Sequence, residues 1–252
     1  MDEAAVPCRE TAAEFERIFA AEYRWKEASR IRGKLSVSEL KKRAMAEEDE
    51  EGVKLYEEAP VIPLVPAFEQ EEIPLSGAAR GTAYHAVMQN LRLLPGLAEP
   101  DIQNQLEDLV NCGKITREEC RVIDPDKIRR FLDSELGGAF AEAWEKERLY
   151  REQPFVMGVA ARSIDPSWPE GETVLVQGII DAFYYQEDGT IVLVDYKTDI
   201  VPDADTLARR YQAQLDYYAQ ALEKLTGHRV ARQVLYSFHL NKIIELQIKE
   251  HT

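Results

Sequence analysis

The sequence predicts an α/β (α+β) chain: a mixed central β-sheet flanked by helices, with a helical insert and a helical N-terminal extension. Three observations predict it. Up to residue 148 the apolar residues recur mostly at helical spacing. From residue 152 onward, short apolar and alternating runs take over, as in strands. One long helical stretch then interrupts those runs, and a helical crossover between strands gives a mixed sheet with helices packed on it.

The elements follow in order. Phe15, Ile18, Phe19 and Trp25 predict an amphipathic helix within residues 10–33 whose apolar face has no local partner. Ser36 and Glu39 form a capping box that opens a second, short helix. That helix runs into the acidic block of residues 46–51, a solvated stretch. Pro60, Pro63, Pro66 and Pro74 make residues 52–75 an extended linker. Ser76 to Leu94 reads as a helix closed by Pro95-Gly96. Residues 99–148 read as an insert of three helices, with Thr116 and Asp124 as caps and Gly137-Gly138 between the last two. Strands are expected at Glu152–Ala161, Val174–Tyr185, Thr190–Tyr196, Gln233–His239 and Ile243–Ile248, the first three forming a meander with tight turns. The crossover helix is Asp205–Leu225, ended by Thr226-Gly227.

Composition narrows the function. In 252 residues, 45% of them hydrophobic, a sizeable core can form. A formal charge of −15 argues against a protein that coats DNA passively, though not against a nuclease, whose site needs carboxylates. Cys8, Cys112 and Cys120 cannot by themselves make a four-thiolate site, so no iron–sulfur cluster is expected; reduced thiols, no signal peptide and no membrane span point to the cytoplasm.

The chemistry concentrates in Asp195-Tyr196-Lys197, at the end of an apolar run. Alternation puts Asp195 and Lys197 on one face of a strand. Asp181 interrupts the preceding run. With a three-residue turn, Glu187-Asp188-Gly189, Asp181 falls opposite Asp195; with a two-residue turn it falls opposite Tyr196 and the aspartates face apart. The three-residue turn is the expectation. Opposed, partly buried carboxylates repel unless a cation bridges them, and hard oxygen ligands favour Mg²⁺ with Mn²⁺ as a substitute. A bound metal and Lys197 together suit phosphodiester hydrolysis, because both stabilise the added negative charge of the transition state. The bland alternative is a structural ion pair. Tyr211, Gln214 and Tyr218 share one helix face, and Arg209-Arg210 beside them is the basic pair best placed to touch phosphate.

Gly81-Thr82-Ala83-Tyr84-His85, Gly178-Ile179-Ile180-Asp181, Asp195-Tyr196-Lys197-Thr198-Asp199 and Tyr211-Gln212-Ala213-Gln214-Leu215 through Tyr218 stand in one order. That series resembles RecB-type nuclease domains of the PD-(D/E)xK superfamily, with a restriction-endonuclease-like core. Ser36 to Lys41, Met88-Gln89 and the Thr116 to Gly137 helices resemble more closely the nuclease domains of AddA-type helicase–nuclease proteins. The resemblance implies that His85, Asp181, Asp195 and the Tyr196 carbonyl bind a divalent metal and that Lys197 is catalytic. It implies that Glu152, Gln214 and Tyr218 support the site or contact DNA. It further implies exonuclease cleavage of single-stranded DNA in bacterial double-strand break repair and recombination, beside an AddB-type partner and an ATP-driven helicase part. The chain has no Gly-x-x-x-x-Gly-Lys-Ser/Thr phosphate loop, so no ATP site is expected in it. On this reading residues 1–75 are an extension toward the helicase part and 76–252 the nuclease domain, with 99–148 as its insert. A catalytically silent docking module and a standalone nuclease of the same superfamily are the alternatives.

Overall fold

The structure is a computed structural model that describes residues 16–17, 31–48, 77–94 and 97–248. Most of the expected N-terminal helix and the whole 52–75 linker lie outside the described residues, although Glu16 and Arg17 are helical. Two compact units divide the chain: Met1–Leu35 with Gly158–Val176, and Ser36–Met157 with Gln177–Thr252. Six strands form a mixed sheet, β1 (Lys34–Ser36), β2 (Leu149–Ala160), β3 (Thr173–Tyr185), β4 (Ile191–Lys197), β5 (Val230–Ser237) and β6 (Lys242–Glu245).

In the smaller unit the Leu175 amide donates to the Gly33 carbonyl, joining β1 to β3, and Ala161 N–H donates to Glu172 O. A short helix, Ala161–Ile164, stands in the β2–β3 connection. The expected tight turn is therefore absent there: residues 161–172 wander, held by the Asp165 carboxylate on Ser167 and by Arg162 on the Trp168 carbonyl.

The larger unit carries the sheet β3-β4-β5-β6, antiparallel at both ends and parallel between β4 and β5. Its helices are α1 (Val37–Glu48), α2 (Gly77–Asn90), α3 (Glu99–Asn111), α4 (Arg117–Val122), α5 (Pro125–Leu132), α6 (Glu135–Glu145) and α8 (Ala204–Thr226), with α7 the 161–164 helix of the other unit. The α1 capping box forms: Glu39 N–H donates to Ser36 Oγ and Ser36 N–H to the Glu39 carboxylate. The insert holds four helices, not three. Gly137-Gly138 lies inside α6; the break comes earlier, where Ser134 caps α6 through Gly137 N–H. Gly137 is required for packing, since a Cβ there would sit 2.2 Å from the Phe131 carbonyl oxygen.

Strand alternation splits the sheet residues between two faces. Ala182, Tyr184, Val192, Val194, Tyr196, Val234 and Tyr236 join one core with α2 and the insert helices. The opposite face carries Asp195 and Lys197, and α8 packs over β4 and β5 with Leu207, Tyr211, Leu215 and Tyr218 buried. Asp203 caps α8 by accepting from Thr206 N–H at 2.7 Å, and left-handed Gly227 ends it. The Thr206 contacts hold the Asp203 carboxyl below the usual carboxylate range. A lowered folded pKa stabilises above the unfolded value of about 3.9 and stops doing so as pH falls through the folded value. Asp203→Ala should therefore lower the melting temperature at pH 7, with the difference from the unaltered chain shrinking below about pH 4.

Candidate active site

Register decides which side chains can meet, and here the β3–β4 turn sets it. Gln186 N–H donates to Thr190 O, Gly189 N–H returns to Gln186 O, and Gly189 has φ +80°. Ala182 pairs with Val194 and Tyr185 with Ile191, the register of the three-residue turn. Asp188 locks it by accepting from Thr190 N–H and Oγ1–H. At the far end the strand ladder gives way to a side chain: Tyr196 N–H donates to Asp181 Oδ2 at 2.8 Å. Asp181 is thereby fixed in orientation, with Oδ1 left for another partner.

That partner comes from the helix on the opposite sheet face. His85 Nδ1 lies 3.3 Å from Asp181 Oδ1 and 3.6 Å from Glu152 Oε1. Two features place these groups. Arg151 donates from Nη1 to the Met88 and Leu91 carbonyls, at 2.8 Å each, at the C-terminal end of α2. Its neighbour Glu152 has φ +51° within β2, a left-handed backbone costing of order 1–3 kcal/mol for a residue with a side chain. Together they bring a strand carboxylate beside a helix imidazole. One ligand atom each of His85, Glu152 and Asp181 lie within 4.8 Å of one another.

Asp195 is fully buried. Its Oδ1 accepts from Gln214 Nε2 at 3.0 Å, and the same amide nitrogen reaches the Tyr218 hydroxyl at 3.2 Å. Its Oδ2 lies 2.7 Å from Lys197 Nζ, a close ion pair, yet no donor is aligned with it as a hydrogen bond. Gly178 lets this group close up, since a Cβ there would meet Phe155 Cε1 at 2.9 Å and Tyr218 Cε1 at 3.0 Å. At Gly81 the nearest atom to a Cβ would be Thr198 Oγ1 at 3.5 Å, an ordinary contact, so no close approach requires a glycine there.

Tyr211 is the other wall. Its hydroxyl donates to the Asp199 carboxylate, which also takes Arg210 Nη1 at 3.2 Å. Lys197 Nζ stands 4.4 Å from the centre of its ring, and Lys41 Nζ, from α1, 3.8 Å from it. The Arg210 guanidinium therefore reaches the motif through Asp199, while still part-exposed toward solvent.

The charges are strongly interdependent. Burial pushes the Asp195 carboxyl up, and the Asp181 charge adds to it, reaching about 7 against the pull of Lys197. Burial would raise Asp181 as well, but His85 and Lys197 outweigh it and hold Asp181 below the usual range. Burial opposes a charge on His85, and Asp181 and Glu152 overcome it, raising the imidazole to about 10. Lys197 is likewise opposed by burial and raised well above the usual range by Asp195, Tyr211 and Asp181. Four groups that shift one another this far titrate as a unit.

The expected ligands are His85, Asp181, Asp195 and the Tyr196 carbonyl. The structure clusters His85 and Asp181 with Glu152, and turns Asp195 toward Lys197 and Gln214. Tyr196 contributes its amide to Asp181 and buries its ring edge-on to Phe131. A divalent cation fits this donor set because three ligand atoms, an imidazole nitrogen and two carboxylate oxygens, converge within 4.8 Å of one another. Sequence reasoning missed Arg151 and the place of Lys41, read only as part of a basic cluster, against the Tyr211 ring. Lys41 could have been found, since it continues the apolar stripe of Val37 and Leu40. Arg151 left no signal, because what it holds lies sixty residues away in sequence.

A family model described as the PD-(D/E)XK nuclease superfamily matches residues 62–251. The ATP-dependent helicase/nuclease (A subunit) of Clostridium kluyveri is 37% identical over 228 residues, 89% of this chain and 18% of that protein. Proteins of the same name from Clostridium beijerinckii and Clostridium botulinum (strain Loch Maree) are each 36% identical, over 92% and 89% of this chain. The chain spans only 17–19% of the length of these curated relatives.

Proposed function

The chain belongs to the PD-(D/E)XK nuclease superfamily, and we propose that it is a divalent-metal-dependent deoxyribonuclease that hydrolyses phosphodiester bonds of single-stranded DNA from an end. The observation that carries the reading is the convergence of His85, Glu152 and Asp181 beside the buried Asp195–Lys197 pair. His85 and Asp181 would hold Mg²⁺, or Mn²⁺ in its place, with Glu152, Asp195 and the Tyr196 carbonyl available around it. A metal bound there supplies a water of lowered pKa and a counter-charge for the phosphoryl oxygens. Lys197 keeps its proton and donates to a phosphoryl oxygen or the attacking water, steadied by Asp195 and the Tyr211 ring. Gln214 and Tyr218 orient Asp195, and Arg210 can release Asp199 to meet the strand. Among the described residues no helix is long and apolar enough to cross a membrane.

The relatives' shared name supports a wider setting. In it this chain is the nuclease part of a bacterial ATP-dependent helicase–nuclease in break repair, fed by a helicase part and joined by an AddB-type partner. That setting makes the net charge of −15 tolerable, because the strand is delivered rather than captured.

Cleavage of a 5′-labelled single strand with Mg²⁺ or Mn²⁺, absent in Asp181→Ala, tests the activity; equal cutting by that variant removes the assignment. Metal binding has its own readout. At about 100 times its dissociation constant, Mn²⁺ should stabilise the unaltered chain by about 2.7 kcal/mol, read as a rise in melting temperature. Asp181→Ala should show no such rise.

A further inference from the structure

Beyond the metal cluster, the parallel pair β4/β5 opens a second, smaller feature. Where the two strands end, Phe238 N–H donates to Lys197 O, and a crevice of about 60 Å³ lies beside them. Arg80, Tyr84, Lys127, Thr198, Ile200, Phe238 and His239 line it. The volume is far below the roughly 300 Å³ or more of a small-molecule site. The lining is instead a set of donors. Arg80 already donates from Nη2 to the Thr198 carbonyl, one residue beyond Lys197. The Tyr84 hydroxyl accepts from Asp124 N–H, which leaves its own hydrogen to donate. Among the described residues Lys127 and His239 have no carboxylate partner.

The acidic groups near these donors are engaged elsewhere. Asp124 caps α5 through Asp126 N–H, Asp126 holds Arg129 and Arg130, and Asp199 holds Arg210 and Tyr211. At the rim Ile200 is 71% exposed, an apolar side chain standing free beside a cationic cleft. Clustered cations and donors without a carboxylate partner at Lys127 or His239, in a chain of net charge −15, are a local exception to the overall field.

We propose that this crevice is a phosphate subsite for the DNA strand. Lys127, His239 and Tyr84 take the backbone phosphate flanking the one presented to Lys197, and Ile200 rests against the adjoining base. Arg80 keeps the crevice and the Lys197 strand end in one piece. The subsite deepens the nuclease reading and rests on it for its purpose, but not for its test.

The test is strand binding by the full chain in EDTA, followed by anisotropy of a fluorescein-labelled oligothymidine at several salt concentrations. Lys127→Gln with His239→Gln should weaken binding about tenfold, the worth of a charge-assisted contact, and flatten the salt dependence by about 0.7 per phosphate released. Lys127→Arg should keep most of the affinity, which separates a charge contact from misfolding. Binding by the double variant within twofold of the unaltered chain and with the same salt slope overturns the subsite. So does a lack of saturable binding by the unaltered chain. Because no metal is present, the nuclease reading fails independently: a strand held through Lys127 but never cut with Mn²⁺ would sink the nuclease and leave the subsite standing.

Discussion

Lys197→Met is expected to lower single-strand cleavage by about 10²–10³-fold, the usual loss when one preorganised donor to a developing anion is removed. The same substitution removes the partner of a fully buried carboxylate, and breaking such a pair commonly costs about 3–5 kcal/mol. Asp195 has an escape. Burial and Asp181 already raise its carboxyl to about 7 with Lys197 in place, so without Lys197 it takes up a proton more readily still. A folded pKa raised above the unfolded value leaves the carboxyl's burial least costly below about pH 4; the cost grows as pH rises toward the folded value. The stability deficit of Lys197→Met should therefore widen above about pH 7 in urea titrations, where Asp195 ionises in the unaltered chain and stays protonated in the variant. Adding Asp195→Asn should remove most of that widening and restore no cleavage. Recovery of activity along with stability would mean that Lys197 is only a structural counter-ion.

Gly137→Ala is the largest stability effect expected away from the site. Two influences oppose each other. Alanine in a helix is worth about 1 kcal/mol over glycine. Against this, the new methyl would lie 2.2 Å from Phe131 O and 2.6 Å from Leu132 O, both backbone atoms that cannot swing away. Overpacking typically costs about 1–3 kcal/mol, and contact this close with fixed backbone belongs at the upper end, so the net effect is destabilising. Gly138 is the matched control: nothing lies within 4 Å of a Cβ there, so Gly138→Ala should stabilise by some part of that 1 kcal/mol. Denaturant midpoints of the two variants moving the same way would refute the packing account.

Those two glycines also show where the sequence is legible. Local chemistry is: the Ser36–Glu39 and Thr116–Glu119 boxes form, and Asp188-Gly189 sets the register that opposes Asp181 and Asp195. Gly137-Gly138 reads as a break because a glycine pair is usually a turn signal, whereas here a neighbouring helix end presses on one of the two. The 161–172 connection differs from the expected tight turn because strand periodicity says nothing about the length of what joins two strands. At the site, strand alternation and the turn single out Asp181, Asp195 and Lys197, and the family resemblance adds His85 and Glu152, but neither shows Glu152 turning in beside His85. That depends on a left-handed residue in β2 and on Arg151 gripping the end of α2, contacts made only after the chain has folded.

The second lysine against Tyr211, Lys41, bears on where this protein can be cut. The family match begins at residue 62, yet α1, ending at Glu48, packs on α8 and lays Lys41, 7% exposed, 3.8 Å from the centre of the ring that Lys197 approaches to 4.4 Å. A fragment trimmed to the matched region would keep His85, Glu152, Asp181, Asp195 and Lys197 and still strip Lys41 from the Tyr211 ring beside Lys197. The working boundary of this nuclease thus lies upstream of its recognisable one, on the other side of an acidic, proline-rich stretch that a designer of truncations would take for the natural edge.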